Sequence, residues 1–448
     1  MGLLDRLRGD DGPRVAFFGI DGVPFSLVDE HPDVFTNLHA IMADGTGGPI
    51  DSIVPPESSA CWPALTCGVN PGRTGVYGFQ DRAVGSYETY IPLGRHVRAT
   101  RLWDRVGEAG REASVLNVPV TFPPDEAVQR MVSGFLSPGV EAASHPESFG
   151  RQLADAGYRI DVDASLGHAD DRREFLEDAH AVLDARAAAF EDVIDRDDWD
   201  LFVGVFMTTD RVNHFLFGDY ERGTDDREAF LAFYRRLDDH LGTLYDRLPE
   251  DVTTIIASDH GFTTLEHEVH LNAWLEREGW LSFETADPEE LGDIDDDTRA
   301  YSLIPGRLFL NLDGREPRGS VAEDDYDATR DELRAMLEGL EGPDGETVID
   351  RVVDGEEAFE GPHVDIAPDL VAIPANGFDL KAGFTGDDDV YTGSPRNGMH
   401  TFANATLIAD DPAIDPAGAD LLDVAPTVLE AMDIELTADE LEGRSLFT

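Results

Sequence analysis

Hydrophobic positions along the chain fall into two recurring patterns. Short continuous apolar runs occur at Val15–Ile20, Ala113–Val118, Leu201–Met207, Thr253–Ala257, Leu370–Ile373 and Ala405–Ile408. Runs of that length without polar alternation read as strands buried on both faces. Glu174–Ile194 and Arg227–Leu248 instead repeat their apolar residues at helical spacing, with charged outer faces. Strands alternating with amphipathic helices predict an α/β fold built on a mostly parallel sheet. Between Glu284 and Arg299 the chain turns acidic and poor in apolar residues, as a solvated loop would. A strand-like run, Leu308–Leu312, and a helical stretch, Tyr326–Leu340, follow it. We read 12–275 as the first part of a core, 276–395 as an inserted cap and 396–448 as the return to the core. That return carries a strand and then a helix, Leu422–Met432.

Composition narrows the setting. The 448 residues suit two to four domains, or one large core with an insertion, and 41% apolar content is enough to fill it. Acidic residues number 92 against 34 basic, for a formal charge of −58. Lys381 is the only lysine; the remaining basic residues are arginine. The acids are spread along the chain rather than gathered in blocks, which reads as adaptation to molar salt, where the Debye length shrinks to about 3 Å. Such a surface argues against a nucleic-acid duplex or an anionic membrane as partner. A strand beginning by Arg14 leaves no room for a signal peptide, and no apolar run reaches 18 residues. Met1–Arg8 reads as a short amphipathic turn, without the myristoylation pattern because Arg6 stands where Ser or Thr is required. Two cysteines, Cys61 and Cys67, exclude a disulfide framework and a Cys₄ zinc site. The expectation is a soluble, cytoplasmic protein.

Three of the strand-like runs end within three positions of a carboxylate. Val15–Ile20 runs into Asp21-Gly22, Leu201–Met207 into Asp210 with His214 four residues on, and Thr253–Ala257 into Ser258-Asp259-His260-Gly261. In a parallel sheet the carboxyl ends of strands share one edge, where ligands bind. Carboxylates and imidazoles converging there point to a metal centre, although a single Asp after a strand is usually a turn residue or cap. A fourth element is Pro55-Pro56-Glu57-Ser58-Ser59-Ala60-Cys61-Trp62-Pro63. Two prolines end an extended segment there, and Ser58 falls where a helix starts. Ser58 is then either a plain N-cap or a nucleophile whose target phosphate rests on the helix N–H groups.

Together these residues resemble the alkaline phosphatase superfamily, in particular its type I phosphodiesterase/nucleotide pyrophosphatase-like phosphohydrolases. The resemblance extends over FGIDG, PPESSACWPALTCGVNPGRTGVYGF, NVPVTFPP, SGFLSP, TTDRVNH, ASDHGF, HLNAWL, LNLDGREPRG, APDL, Gly398-Met399-His400 and DVAPTVLEAM. It implies an alkaline-phosphatase-like sheet with an inserted cap, and two divalent metals bridged by the substrate phosphate. Asp210, His214 and His400 would hold one metal. Asp21, Asp259, His260 and the oxygen of Ser58 would hold the other. Imidazole and carboxylate without thiolate suit zinc, and also manganese or iron. The implied reaction is hydrolysis of a small phosphate mono- or diester through phosphoserine at Ser58. Ser58 rather than Ser59 matches the family's spacing to Cys67-Gly68.

Some positions depart from the family. Cys67 stands where relatives have Thr, Thr74 where they have His, and Phe79 where many nucleotide pyrophosphatases have Asn. The last change counts against nucleotide-type diester chemistry. His267 and His270 flank Glu268 one residue short of the H-E-x-x-H spacing and read as structural. The sulfatase pattern C-x-P-x-R matches at Cys61-Trp62-Pro63 and fails at Leu65. Lys381, placed in a loop, reads as retained by chance rather than as a substrate contact. A phosphomutase with the same site and a non-catalytic metal-binding relative remain as alternatives.

Overall fold

The computed structural model describes residues 12–169, 171–285, 288–383, 389–435 and 441–448. The turn expected at Met1–Arg8 lies outside them. The central sheet is built from β1 (Arg14–Ile20), β2 (Thr46–Ile50), β3 (Ala113–Leu116), β4 (Arg130–Val132), β5 (Ser144–His145), β6 (Leu201–Phe206), β7 (Val252–Ala257) and β8 (Ala405–Ala409). Their order across the sheet is β2-β8-β7-β1-β6-β3-β4-β5. The five inner strands from β7 to β4 are parallel; β8 runs antiparallel to both β7 and β2, and β5 antiparallel to β4.

Alternation along the strands explains the layers. Ala16, Phe18 and Ile20 of β1, with Phe202 and Phe206 of β6, face a cluster that includes Phe175 and Phe190 of α2 (Arg173–Ile194) and Phe230 and Leu237 of α4 (Arg227–Arg247); α3 (Thr208–Arg222) packs in the same layer. Val15, Phe17, Val203 and Val205 face the opposite cluster, with Trp62 and Leu65 of α1 (Ser58–Cys67) and Val428 of α5 (Val424–Ala431). With both faces covered, β1 and β6 are buried throughout, which is why their sequences lack polar alternation. Gly19 is required by this packing: a Cβ there would lie 2.3 Å from the Trp62 ring.

A second, antiparallel sheet lies in the 276–395 region. Its strands run in the order Ala300–Leu303, Arg307–Leu310, Leu370–Pro374, Ile349–Asp354, with the helix Tyr326–Glu338 against them. Its hydrophobic cluster draws on residues from Val269 to Val390. Leu370–Ile373, grouped by its sequence with the central strands, therefore belongs to this smaller sheet. A buried apolar run looks the same in either sheet, and only pairing separates them. In the acidic stretch, Leu291 and Ile294 turn inward and are buried.

Two buried ion pairs fasten this region to the core. Arg307 Nη1 lies 2.6 Å from Asp81 Oδ1, and Arg82 Nη1 lies 2.6 Å from Glu316 Oε1. Arg307 also donates to the carbonyls of Gln80 and Ile304, so one guanidinium ties the segment after Phe79 to the turn at Ile304-Pro305.

Candidate active site

The carboxyl ends of β1, β6 and β7 bring Asp21, Asp210 and Asp259 to one edge, all buried. The strand Gly261–His270 continues from β7 and pairs antiparallel with Gly398–Thr401, in a register that sets Phe262 opposite His400. That pairing carries His400 across 140 residues of chain to Asp259 and His260. At Gly22, a φ of +67° turns the backbone so that its N–H donates to Asp259 Oδ1 at 3.1 Å.

Six of the seven residues singled out by sequence form two abutting clusters, with Ser58 beside one of them. In the first, Asp210 Oδ1 is 3.4 Å from His214 Nε2 and 3.2 Å from His400 Nε2, and the two Nε2 atoms are 3.1 Å apart. In the second, His260 Nε2 is 3.7 Å from Asp21 Oδ1 and 3.5 Å from Asp259 Oδ2. Ser58 Oγ donates to Asp21 Oδ1 at 3.3 Å and lies 3.2 Å from His260 Nε2. The rings of His260 and His400 stack at 3.8 Å between the clusters.

Three observations test whether these groups suit metal ions. Each imidazole donates Nδ1–H to a carbonyl: His214 to Gly398, His260 to Gly261, and His400 to Pro56, at 3.0–3.1 Å. That fixes the tautomer and turns every Nε2 lone pair toward a cluster. Asp259 Oδ2, fully buried, has no hydrogen-bond partner. Ligand atoms about 2.0–2.2 Å from a tetrahedral zinc stand about 3.3–3.6 Å apart, close to the separations here. The donor sets fit divalent cations.

The electrostatics agree. Burial, reinforced by Asp259 and Asp210, pushes the Asp21 carboxyl well above its ordinary value, and burial raises Asp259 to about 7. Burial also lowers His214 to about 3 and holds His260 well below the usual imidazole range. Asp210 is the exception: burial opposes its ionisation, but His214, His400 and Arg211 outweigh it and its carboxyl stays low. Burial opposes the charge on His400 too, but Asp210, Glu57 and Asp379 outweigh it and raise that imidazole. Three clustered carboxylates thus face two imidazoles that resist protonation and one that favours it.

Helix α1 shows which side chain caps it. The cap is Glu57, whose Oε2 accepts from the Ser59 N–H at 3.1 Å, so Ser58 is not the N-cap and its hydroxyl faces Asp21 and His260. Trp62 Nε1–H anchors the other oxygen of Asp21 at 2.6 Å. Cys61 is fully buried against Ser52, its thiol pushed far up by burial, and burial takes Cys67 up to about 12; neither suits a nucleophile. His267 stacks on Phe378, and His270 bonds Thr392, away from both clusters.

A cavity of about 280 Å³ opens on Ser58, Asp210, His214 and His400. Phe79, Phe135, Ile304, Pro305, Leu380 and Met399 supply apolar wall. Glu57, Arg211, Asp379, Lys381 and Arg396 supply charge, and none but Lys381 was weighed for a role from sequence. Arg211 had a legible signal in its adjacency to Asp210; Asp379 and Arg396 had none. Lys381 corrects the sequence reading. It ends the strand Gly377–Lys381, paired in parallel with Gly261–His270, rather than lying in a loop.

A profile of the family described as type I phosphodiesterase/nucleotide pyrophosphatase matches residues 15–402. The chain belongs to that family. It is thus a phosphoric ester hydrolase of the metal-dependent alkaline phosphatase superfamily. Among solved structures it is similar to phosphonoacetate hydrolase from Sinorhizobium meliloti 1021 bound to phosphonoformate. The identity is 16% and the TM-score 0.63, over 94% of this chain and 96% of that one. It is also similar to murine ectonucleotide pyrophosphatase/phosphodiesterase 5, inactive and in complex with AMP. There the identity is 14% and the TM-score 0.55, over 97% and 100% of the two chains. At these identities the likeness establishes the alkaline-phosphatase-like fold. No curated protein matches the chain by sequence. Among the described residues no helix is long and apolar enough to cross a membrane.

Proposed function

We propose that the chain hydrolyses a small phosphate mono- or diester through a phosphoseryl intermediate on Ser58. The observation that carries this reading is the Ser58 hydroxyl, buried at the start of α1 and within 3.3 Å of both Asp21 Oδ1 and His260 Nε2. Asp210, His214 and His400 would hold one divalent metal, and Asp21, Asp259, His260 and Ser58 the other. Zinc suits these ligands best, with manganese or iron compatible. Bound there, the pair would acidify the serine and offset charge on the phosphoryl oxygens. The chain's own contribution is positioning. Trp62 and Gly22 fix the two carboxylates nearest Ser58, and the carbonyls of Gly398, Gly261 and Pro56 fix the imidazoles. Ser58 Oγ bonds phosphorus as the ester oxygen departs, and water then cleaves phosphoserine and restores the hydroxyl.

We read residues 276–395 as a cap that supplies the Ile304-Pro305 and Leu380-Lys381 wall of the cavity. Phe79, in place of an amide, makes that wall apolar and favours substrates other than nucleotides. The acidic composition supports a cytoplasmic enzyme of a salt-loaded cell. The test is metal analysis of the purified protein, paired mono- and diester substrates in molar KCl, and peptide mapping of the trapped phosphoenzyme. About two metals per chain and phosphate on Ser58 are expected. Full activity without metal, or phosphate elsewhere, overturns the reading.

A further inference from the structure

The cavity beside Ser58 has an unusual charge balance for this chain. Acids outnumber bases 92 to 34 overall, yet the cavity wall carries three cations, Arg211, Lys381 and Arg396, against Glu57, Asp210 and Asp379. Two of the cations are engaged. Arg211 lies 3.0 Å from Asp161 and 3.1 Å from Asp210, with its guanidinium over the Phe135 ring. Lys381 pairs with Asp379. Arg396 has no ion pair among the described residues, although it is half-buried and the chain as a whole is rich in acids.

The backbone next to it is tied down. The Asn397 N–H donates to the His214 carbonyl at 2.8 Å, and the Asn397 carbonyl accepts from Leu265. The Asn397 side chain accepts from the Gly218 N–H and donates to Asp219. The backbone beside Arg396 is thereby fastened to α3, the helix that carries Asp210 and His214. A guanidinium without an ion pair among the described residues, on the wall of a largely apolar cavity, is a receptor for an anion, since partial burial strengthens a charge-assisted hydrogen bond.

We infer that Arg396, with Lys381 elsewhere on the cavity wall, binds a second anionic group of the substrate, a carboxylate or a phosphate separated from the scissile phosphoryl group by an apolar body. This rests on the reading of Ser58 as nucleophile and goes beyond it to the substrate class. The apolar body would lie against Phe79, Ile304, Pro305 and Met399. Lys381 is the weaker contributor because Asp379 already neutralises it.

The experiment compares aryl methyl phosphates whose leaving ring carries a carboxylate, a phosphate or a neutral carboxamide, with the released phenol followed by chromatography in molar KCl. Wild-type enzyme should prefer one of the anionic substrates over the carboxamide by about tenfold or more in kcat/KM, and which of the two identifies the group. In Arg396→Gln that preference should collapse to near unity, whatever happens to the carboxamide rate; comparing ratios cancels differences in leaving-group reactivity. Arg396→Lys should keep part of the preference, an outcome that damage to the fold would not produce. Carboxamide hydrolysis with no anion preference in wild type, or an equal preference in Arg396→Gln, overturns the inference while leaving the phosphoesterase reading intact. Hydrolysis by metal-loaded wild type of none of the three, nor of an aryl phosphate monoester, overturns that reading and this inference with it, whereas hydrolysis of the monoester alone overturns only the inference.

Discussion

Where the second sheet meets the core, buried charges face their opposites: Arg307 against Asp81 and Arg82 against Glu316, each at 2.6 Å. At the edge of the central sheet, Asp21, Asp210 and Asp259 are equally buried but crowd one another, and one oxygen of Asp259 has no partner. Taking a charge out of water costs several kcal/mol, and a close partner of opposite sign offsets that cost. The junction is balanced as it stands, which marks its charges as structural. The sheet edge is unbalanced, which marks it as a place for cations that arrive from outside the chain.

The largest expected effect tests whether the unbalanced region is the reactive one. Ser58→Ala should lower turnover by roughly two orders of magnitude or more, while Ser59→Ala stays within a few-fold. Metal content should largely persist in Ser58→Ala, because Asp21, Asp259 and His260 remain. Equal losses in the two serine variants, read from initial rates in molar KCl, would break the assignment.

Next in size are the ligand substitutions. His214→Ala should lower metal occupancy, measured by elemental analysis, by about one metal per chain, with most of the activity lost. At the junction, Glu316→Gln should bind metal normally but lose about 3–5 kcal/mol of stability, because Arg82 is left buried without its counter-charge. Urea midpoints in molar salt read that loss, and a neutral result would place Arg82 outside the balanced class.

Salt should act through the surface rather than through either buried region. Lowering ionic strength from 1 M to 0.1 M lengthens the Debye length from about 3 Å to about 10 Å, and a chain of charge −58 then repels itself. Melting temperatures should fall steeply on dialysis, by similar amounts in wild type and Glu316→Gln. A melting temperature independent of salt would contradict the halophilic reading.

The smallest effect has the opposite sign from the junction variant. Burial raises Asp259 to about 7. Between its ordinary value near 4 and that value, the folded metal-free protein therefore holds a proton that the unfolded chain releases. Asp259 accordingly lowers metal-free stability as pH rises through that window. Asp259→Asn should abolish metal binding at the second cluster, yet make the metal-free protein more stable at pH 8 by about 1–2 kcal/mol. Urea midpoints of stripped protein at pH 5 and pH 8 measure it; destabilisation at pH 8 would show that Asp259 belongs with the balanced charges.

Much of the candidate site was readable without coordinates because its carboxylates follow strands. Asp21, Asp210 and Asp259 each come just after an apolar run, and parallel topology brings such positions together whatever lies between them. His400 was placed by resemblance; no local pattern marks it, since its position depends on pairing with Gly261–His270. Glu57 was visible in the motif without a role, because capping is a matter of which side chain reaches the free N–H groups. Lys381 was assigned to a loop, since GFDLKAGF has too few strand-forming residues to announce a strand.

The sequence alone determined the layered α/β class, the parallel core and the strand-end carboxylates that are candidate metal ligands, because periodicity and strand-end chemistry are local properties. Tertiary structure decided what depends on contacts between distant segments. It moved Leu370–Ile373 into the second sheet, gave Glu57 the cap and so freed the Ser58 hydroxyl. It also left Arg396 without an ion pair among the described residues, beside the cavity. Apolar burial determines that a segment goes inside, but not which neighbour it meets. Hydrogen bonds and charges, which act over a few ångströms, make that choice only once the chain has folded.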